Sequence, residues 1–220
     1  MLPENVGACA RVMKTMGFQN LHLVKGIDPK QERARWVAHG SEDVLDTAQI
    51  HETLYSALEK MDLIIGTTSK QRNIKSKCYT PEETAKMVRE KSQTLGQIAL
   101  VFGREDKGLT NEELKQCDML SSIPLKETFP SLNLSHAVMI YAYTFSSCQP
   151  LESPSRNAHP GEFSELKMKV SQILEVINMN HSSSAYQNIM GRLAALGPKD
   201  MKTLHHLCNQ LQAHLESRGL

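Results

Sequence analysis

The stretch LIIGTT at residues 63–68 decides the class of fold. Its three consecutive apolar residues end at a Gly-Thr-Thr turn, which is the pattern of a strand buried on both faces of a parallel sheet. An apolar run at 98–102 has the same form, and further strands are expected at 119–123 and, shorter, at 21–24. Helical patterns separate these strands. The alternation predicts an α/β fold in which helices flank a parallel sheet.

Helix start signals lie where this order requires them. Thr80 and Thr110 each stand three residues before a glutamate, Glu83 and Glu113, which is the capping-box pattern. Asn5 is expected to cap a first helix that runs from about residue 6 to residue 16. A long apolar helix is predicted from about residue 134 to residue 147.

The composition changes after residue 148. Residues 149–161 contain three prolines, which indicates a linker. Beyond it, apolar residues recur at helical spacing, as in an amphipathic helix. We therefore expect one domain at 1–148, a linker at 149–161 and a small helical C-terminal extension at 162–220.

Composition excludes several classes of protein. Apolar residues make up 40% of the 220, and the formal net charge is +1, so any nucleic-acid binding must come from a local basic patch. The five cysteines form no C-x-x-C pair, which predicts no structural metal site and a reducing cytoplasm. No apolar run is long enough to span a bilayer, so no membrane partner is expected.

Two segments could bind a ligand. Residues 103–108, GREDKG, follow a predicted strand but form neither a dinucleotide fingerprint nor a P-loop, so they are either a strand-to-helix turn or a ligand loop. Ser131 and Asn133 precede the long helix, where they either cap it or also face a ligand. If the sheet is parallel, both segments lie at one edge of it.

A third candidate is the basic segment at 69–79, which contains no acidic residue. It is the best local phosphate-binding patch in the chain, although a solvated loop has the same composition. Its basic side chains are Lys70, Arg72, Lys75 and Lys77. Arg11, on the first predicted helix, is by itself an ordinary solvated arginine.

Three segments together resemble a known family. Asn5, Gly7 and Arg11 match an N-x-G-x-x-x-R motif, residues 102–109 match F-G-x-E-x-x-G-L, and Ile123-Pro124 with SLNLS at 131–135 match I-P followed by S-L-N-x-S. These are the three motifs of the SpoU branch of the SPOUT RNA 2′-O-methyltransferases. Gly66-Thr67-Thr68 before a basic loop is similar to the TrmJ-type tRNA enzymes, to which the chain bears its closest resemblance.

The resemblance implies a SPOUT-type fold, with a trefoil knot near the C-terminal end of the catalytic domain, and a homodimer. It implies S-adenosyl-L-methionine as the cofactor and RNA, in particular tRNA, as the partner. The cofactor pocket would then be lined by Thr67, Gly103, Gly108, Ile123, Leu125, Leu132 and Asn133. Family members begin with a strand before the first motif, so the resemblance predicts a domain that lacks this strand.

The resemblance also assigns catalytic positions, which are Asn5, Arg11, Glu105, Ser131 and Asn133. Because a guanidinium stays protonated across the useful pH range, we expect Arg11 to orient the ribose and stabilise developing negative charge. The activity predicted is 2′-O-methylation of tRNA at anticodon-loop position 32. Methylation of rRNA or of another tRNA site, and a catalytically silent RNA-binding module, are the alternatives.

Overall fold

A computed structural model of the chain describes residues 2–69, 77–92, 94–127, 132–146, 161–181 and 183–217. The strands are β1 (His22–Val24), β2 (Gln49–His51), β3 (Leu63–Thr67), β4 (Cys78–Tyr79), β5 (Ile98–Val101) and β6 (Met119–Ser121). The helices are α1 (Pro3–Thr15), α2 (Glu32–Ala38), α3 (Glu42–Asp46), α4 (Leu54–Leu58), α5 (Pro81–Glu90), α6 (Asn111–Leu114), α7 (Leu134–Ser146), α8 (Glu162–Val176), α9 (Ser184–Ala195) and α10 (Pro198–Ser217). None of these helices is long and apolar enough to cross a membrane.

The main sheet is parallel, with strand order β4-β6-β3-β5. β3 lies inside it, and its residues Leu63, Ile64 and Ile65 are buried, as the apolar run predicts for a strand covered on both faces. The predicted α/β class with a parallel sheet and flanking helices is confirmed.

The carboxyl ends of three strands meet at one edge of this sheet. Gly66 of β3 pairs with Val101 of β5, and Thr67 of β3 pairs with Ser121 of β6. The loops that follow these strands therefore start side by side. Ligands of open α/β sheets bind outside the carboxyl ends of the strands, so the topology places the candidate site at this edge.

A second, two-stranded parallel sheet is formed by β1 and β2. Leu23 of β1 is buried in an apolar cluster with residues of α1, α2 and α3. The sequence predicted β1 but not β2, α2 or α3, because segments of three to seven residues are too short to display a helical or strand periodicity of apolar residues.

Helix α1 begins at Pro3, with Leu2 at its N-cap position, so the prediction that Asn5 caps this helix is wrong. Proline at the first helical position is itself a start signal, because its missing N–H would have no helical partner there. Asn5 instead lies inside the first turn, and its side chain is free to reach another segment. The two predicted capping boxes, at Thr80 with Glu83 and at Thr110 with Glu113, are confirmed.

The C-terminal helices share the main hydrophobic core. Phe163 and Leu166 of α8 and Met201 of α10 are fully buried in the cluster that contains Leu63 and Ile65 of β3. Most of the predicted linker lies outside the described residues. The core contact shows that α8 and α10 are held against the sheet by the same apolar burial that stabilises the sheet itself.

A buried ion pair joins the same two parts. Asp118, just before β6, contacts the Nζ of Lys167 on α8 at 2.9 Å and accepts the backbone N–H of Ile64 at 2.9 Å. Burial raises the pKa of Asp118, and the neighbouring Lys167 counteracts this shift. Lys91, at the end of α5, donates to the backbone carbonyl of Ala194 on α9, and burial lowers its pKa to about 8.

Candidate active site

The loop after β5 closes on itself at two glycines. Arg104 and Gly108 form an antiparallel bridge, in which the Gly108 N–H donates to the Arg104 carbonyl at 2.7 Å. A Cβ on Gly103 would lie 2.6 Å from the Gly108 Cα and closer still to the next peptide group. Gly108 has φ +67°, a conformation that favours glycine. The two motif glycines are therefore what lets this loop fold back tightly.

Arg104 anchors the loop to helix α6. Its guanidinium donates to both carboxylate oxygens of Glu113, at 3.0 and 2.8 Å. Glu113 also completes the capping box with Thr110. The hydrogen bond from Arg104 lowers the pKa of Glu113 to about 2, so this pair stays charged throughout the physiological range. The adjacent side chain, Glu105, is left exposed at the surface of the loop.

Three motif side chains that are far apart in the sequence meet at this loop. The Asn5 amide donates to Glu105 Oε1 across 100 residues of sequence. The Asn133 amide donates to Asn5 Oδ1 at 3.5 Å, across 128 residues. Asn5 therefore bridges the loop after β5 and the start of α7. We call Asn5, Glu105 and Asn133 the polar cluster.

Asn133 serves two purposes at once. Its Oδ1 accepts the backbone N–H of Ser135 at 2.8 Å and the Ser135 hydroxyl at 2.9 Å, which satisfies donors in the first turn of α7. Its amide nitrogen points to Asn5. The sequence left open whether this residue caps the helix or faces the site, and the structure shows a side chain that does the first while it belongs to the polar cluster.

Cys9 lies beneath the polar cluster, one turn beyond Asn5, and is buried. Burial, and to a smaller extent the negative charge of Glu105, raises the pKa of Cys9 to about 12. The thiol is therefore protonated at neutral pH. This protonation argues against a nucleophilic role for Cys9, because the thiolate is the reactive form.

The remaining predicted cofactor residues lie around the same sheet edge. The Thr67 hydroxyl donates to the Val101 carbonyl at 2.9 Å and so ties the ends of β3 and β5 together. Ile123 is half-buried and packs against the main core, Leu125 is 36% exposed, and Leu132 is half-buried. The apolar residues at 123, 125 and 132 thus have part of their surface accessible.

Arg11 is the one predicted catalytic residue that the structure places apart from the others. It is exposed on α1, and its guanidinium forms no hydrogen bond or ion pair with any residue in the described ranges. Asn5 and Arg11 are six positions apart, which puts them on different faces of the helix. The arginine is accessible to a bound molecule but does not belong to the polar cluster.

Four predicted site residues lie outside the described residues: Lys70, Arg72, Lys75 and Ser131. Of the predicted RNA-binding side chains, Lys77 is described. It is exposed, and its Nζ lies 4.7 Å from the centre of the Tyr79 ring.

Sequence reasoning missed two features that hold the site in place. One is the Arg104–Glu113 pair, for which the capping-box glutamate was the only available signal. The other is the buried Ser121 at the end of β6, which accepts the hydroxyl of Tyr141 at 2.9 Å and donates to the Tyr79 carbonyl at 3.1 Å. This hydroxyl network fixes α7 against the sheet beside the polar cluster. Isolated serines and tyrosines give no sequence pattern that could predict it.

Comparisons with known proteins agree with this geometry. The model of the SpoU rRNA Methylase family matches residues 1–143, and that of the C-terminal domain of the tRNA/rRNA methyltransferase LasT matches residues 160–215. The protein named uncharacterized tRNA/rRNA methyltransferase LasT, from Escherichia coli (strain K12), is 36% identical over 214 residues, which cover 96% of this chain and 93% of the relative.

The tRNA (cytidine/uridine/adenosine-2′-O-)-methyltransferase TrmJ of Pseudomonas aeruginosa (strain UCBPP-PA14) is 32% identical over 210 residues, which cover 96% of this chain and 80% of the relative. In fold, the chain is similar to the solved structure of TrmJ from Z. mobilis ZM4, with a TM-score of 0.64, 23% identity, and coverage of 96% of this chain and 95% of that one. The chain therefore belongs to the SpoU rRNA Methylase family.

Proposed function

We propose that this protein transfers a methyl group from S-adenosyl-L-methionine to the 2′-hydroxyl of an RNA ribose, and that its substrate is tRNA at anticodon-loop position 32. The observation that carries the proposal is the polar cluster. Three short motifs of one methyltransferase family, separated by 100 and 128 residues, supply side chains that contact one another at the carboxyl edge of a parallel sheet. Relatives named as tRNA 2′-O-methyltransferases support the choice of RNA and of acceptor atom.

The residues at this edge fit the cofactor. S-adenosylmethionine carries a sulfonium cation and an adenosine and has no phosphate, so it needs apolar contacts and backbone donors and acceptors more than a phosphate loop. The tight turn between Gly103 and Gly108 offers main-chain groups, and Ile123 and Leu132 offer half-buried apolar side chains in other loops after the strands. When bound there, the cofactor supplies an electrophilic methyl group.

The polar cluster would act by positioning. The Glu105 carboxylate holds the Asn5 amide, and Asn5 in turn accepts from Asn133, so each side chain limits the rotamers of the next. A fixed set of hydrogen-bonding groups can align a ribose hydroxyl with the methyl group, and such alignment supplies much of the rate of a two-substrate reaction. Arg11, exposed and charged, would bind the ribose or its phosphate and stabilise the negative charge that develops on the attacking oxygen. Ser131 is proposed to belong to the same site.

A homodimer is part of the proposal. Met139 and Tyr143 stand one turn apart on the apolar helix α7 and are 38% and 70% exposed. Adjacent exposed apolar side chains on one helix face suit a protein interface. Since α7 packs against α1, contact between two copies here would bring a second α1 near each polar cluster.

We also propose the trefoil knot and the domain boundaries 1–148, 149–161 and 162–220. A cytoplasmic location is proposed as well, and it suits the free thiols of the described cysteines.

The main alternative substrate is rRNA, which the name of the family and that of the LasT relative include. The near-neutral net charge does not discriminate between the two RNAs. In either case the basic segment with Lys77 is proposed to contact the RNA backbone, together with Lys70, Arg72 and Lys75. A catalytically silent RNA-binding module is the third reading, and it differs from the others in predicting no methyl transfer.

The test is methyl transfer from isotope-labelled S-adenosylmethionine to purified tRNA and, separately, to purified rRNA, followed by nuclease mapping of the labelled nucleotide. We expect label in tRNA as a 2′-O-methylated nucleoside. Glu105→Gln should lower turnover at least tenfold, whereas Glu112→Gln, which removes a 78% exposed carboxylate of a surface pair, should not. Label in rRNA alone would show that rRNA, and not tRNA, is the substrate. No label in either RNA would contradict the proposed activity.

A further inference from the structure

The only tryptophan of the chain, Trp36, is 69% exposed. Tryptophan is usually largely buried, because its ring carries a large apolar area. Trp36 lies on α2, whose residues Ala34 and Ala38 are fully buried against α1. Trp36 is on the opposite face of the helix and therefore adds little to the stability of the fold.

The surroundings of Trp36 connect it to the active site. Arg33, one turn before it, is 73% exposed, and its guanidinium lies 3.7 Å from the carboxylate of Glu4. Glu4 directly precedes Asn5 of the polar cluster. Since side chains three apart on a helix are about 5–6 Å from each other at Cβ, Trp36 is a neighbour of the residue that contacts the first turn of α1.

The segment that carries Trp36 has a small excess of basic side chains, although α3, which packs against α2, adds the acidic Glu42, Asp43 and Asp46. Residues 25–40 contain four basic and two acidic side chains, a net charge of +2 in a chain whose total is +1. The basic residues are Lys25, Lys30, Arg33 and Arg35, and the acidic ones are Asp28 and Glu32. Arg35 pairs with Asp46 at 2.6 Å, whereas the Arg33–Glu4 contact is long and exposed, so Arg33 can exchange it for a phosphate at little cost.

We propose that Trp36 is a stacking platform for an unpaired base of the RNA substrate, with Arg33 contacting the adjacent phosphate. Exposed aromatic rings beside basic groups are how proteins hold the splayed bases of single-stranded RNA, because every base has a π face. The inference rests on the proposed function, since it assumes that RNA is the substrate. It adds a binding position outside the three motifs, on the side of α1 where Arg11 is also exposed.

Because Trp36 is the only tryptophan, its fluorescence reports this position directly. We expect tRNA to quench the emission and to protect it from acrylamide, and heparin, a polyanion without bases, to do neither. Binding of tRNA is measured independently by filter retention. Retention with unchanged emission and unchanged acrylamide access would overturn the inference and leave the proposed function standing. No retention by the wild-type protein would count against the proposed function itself.

Substitutions separate stacking from general apolar contact. Trp36→Leu should weaken tRNA binding about 5- to 100-fold, the usual range for loss of one base–aromatic stack, and Trp36→Phe should recover most of it. The slope of affinity against salt should stay the same, since no charge is lost. The matched control is Tyr55→Leu, at a 72% exposed aromatic outside residues 25–40.

Two results with these variants would also overturn the proposal. One is a normal tRNA affinity of Trp36→Leu, and the other is an equal loss from Tyr55→Leu. A normal affinity together with a changed oligomer mass of Trp36→Leu would assign the exposed indole to a protein contact. Calorimetric affinity for S-adenosylmethionine should be the same in all three variants.

Discussion

Replacement of Gly103 by alanine tests the cofactor loop with the smallest possible change. The added Cβ would lie 2.6 Å from the Gly108 Cα, well inside the 3.0 Å that real Cβ atoms keep. The close neighbours are backbone atoms of Gly108 and Leu109, which cannot rotate away as a side chain can. The loop must therefore shift as a unit, by about 1 Å, to restore van der Waals contact.

The size of the effect follows from that shift. Overpacking of this kind costs about 1–3 kcal/mol of stability. It also stretches the 2.7 Å hydrogen bond from Gly108 to Arg104 and moves the main chain that we assign to the cofactor. A 1 Å misplacement can lower a catalytic rate on the order of 100-fold, and we take the same order for the binding of a cofactor whose contacts move with the loop. We expect the affinity for S-adenosylmethionine to fall by about that factor.

The assay is isothermal titration of the cofactor into each variant, with urea unfolding as the measure of stability. Gly197→Ala is the matched control, because a Cβ there would meet nothing closer than the Asp200 carboxylate at 3.9 Å. It should leave both quantities unchanged. A Gly103→Ala protein that is folded and binds the cofactor with wild-type affinity would refute the assignment of this loop to the pocket.

Three further predictions concern other parts of the molecule. Arg11→Ala and Arg11→Lys should both lower methyl-transfer turnover about 100-fold without changing cofactor affinity, because a lysine lacks the planar fork, and near-normal turnover would make Arg11 an ordinary surface residue. Burial lowers the pKa of Lys91 from 10.5 to about 8, because the charged amine is poorly solvated in the folded protein. The folded protein is therefore most stable above pH 10.5, where the amine is neutral in both states, and it loses this stability as the pH falls through 8. Relative to Lys91→Met, the wild-type free energy of unfolding should therefore rise by up to about 3 kcal/mol from pH 7 to pH 10.5 in urea melts, and parallel pH curves would contradict this. Gly191→Ala, inside α9 with the Asp118 carbonyl at an ordinary 3.7 Å, should stabilise the protein by up to about 1 kcal/mol, and a lower melting temperature would show that this space is not open.

The sequence predicted the parts of the fold whose physics is local. The apolar run at 63–65 requires burial on both faces, and Thr80 and Thr110 with their glutamates satisfy free N–H groups within a single turn. The second sheet could not be predicted in the same way. β2 has three residues, and two of them are exposed, so it carries no apolar pattern. It forms a strand because it pairs with β1, which is itself held against α1 and α2 by apolar packing.

For the candidate site, the motifs named residues but could not give their arrangement. Asn5, Glu105 and Asn133 were predicted to share a site, and in the structure they contact one another. That Asn5 lies within the first turn and not at the cap depends on Pro3, a signal that was present but overlooked. The separation of Arg11 from the polar cluster could not be predicted, because the face it occupies is defined by how α2 and α7 pack on α1.

The way in which the extension joins the catalytic part was also beyond the sequence. The linker composition suggested a separate helical appendage, yet Phe163 and Leu166 are buried in the core of the main sheet. The partners of these residues lie about 100 positions earlier in the chain. Amphipathic spacing indicates that a helix has an apolar face but does not indicate what covers it.

The central claim is that the acceptor atom is the ribose 2′-hydroxyl of tRNA at position 32. The most direct measurement compares two tRNA transcripts that are identical except at nucleotide 32, where one carries ribose and the other 2′-deoxyribose. Both are incubated with the protein and labelled S-adenosylmethionine, and incorporation is counted while tRNA binding is checked by filter retention. The account predicts label in the ribose transcript and none in the deoxy transcript, with similar binding of both. Equal label in the two transcripts would contradict it.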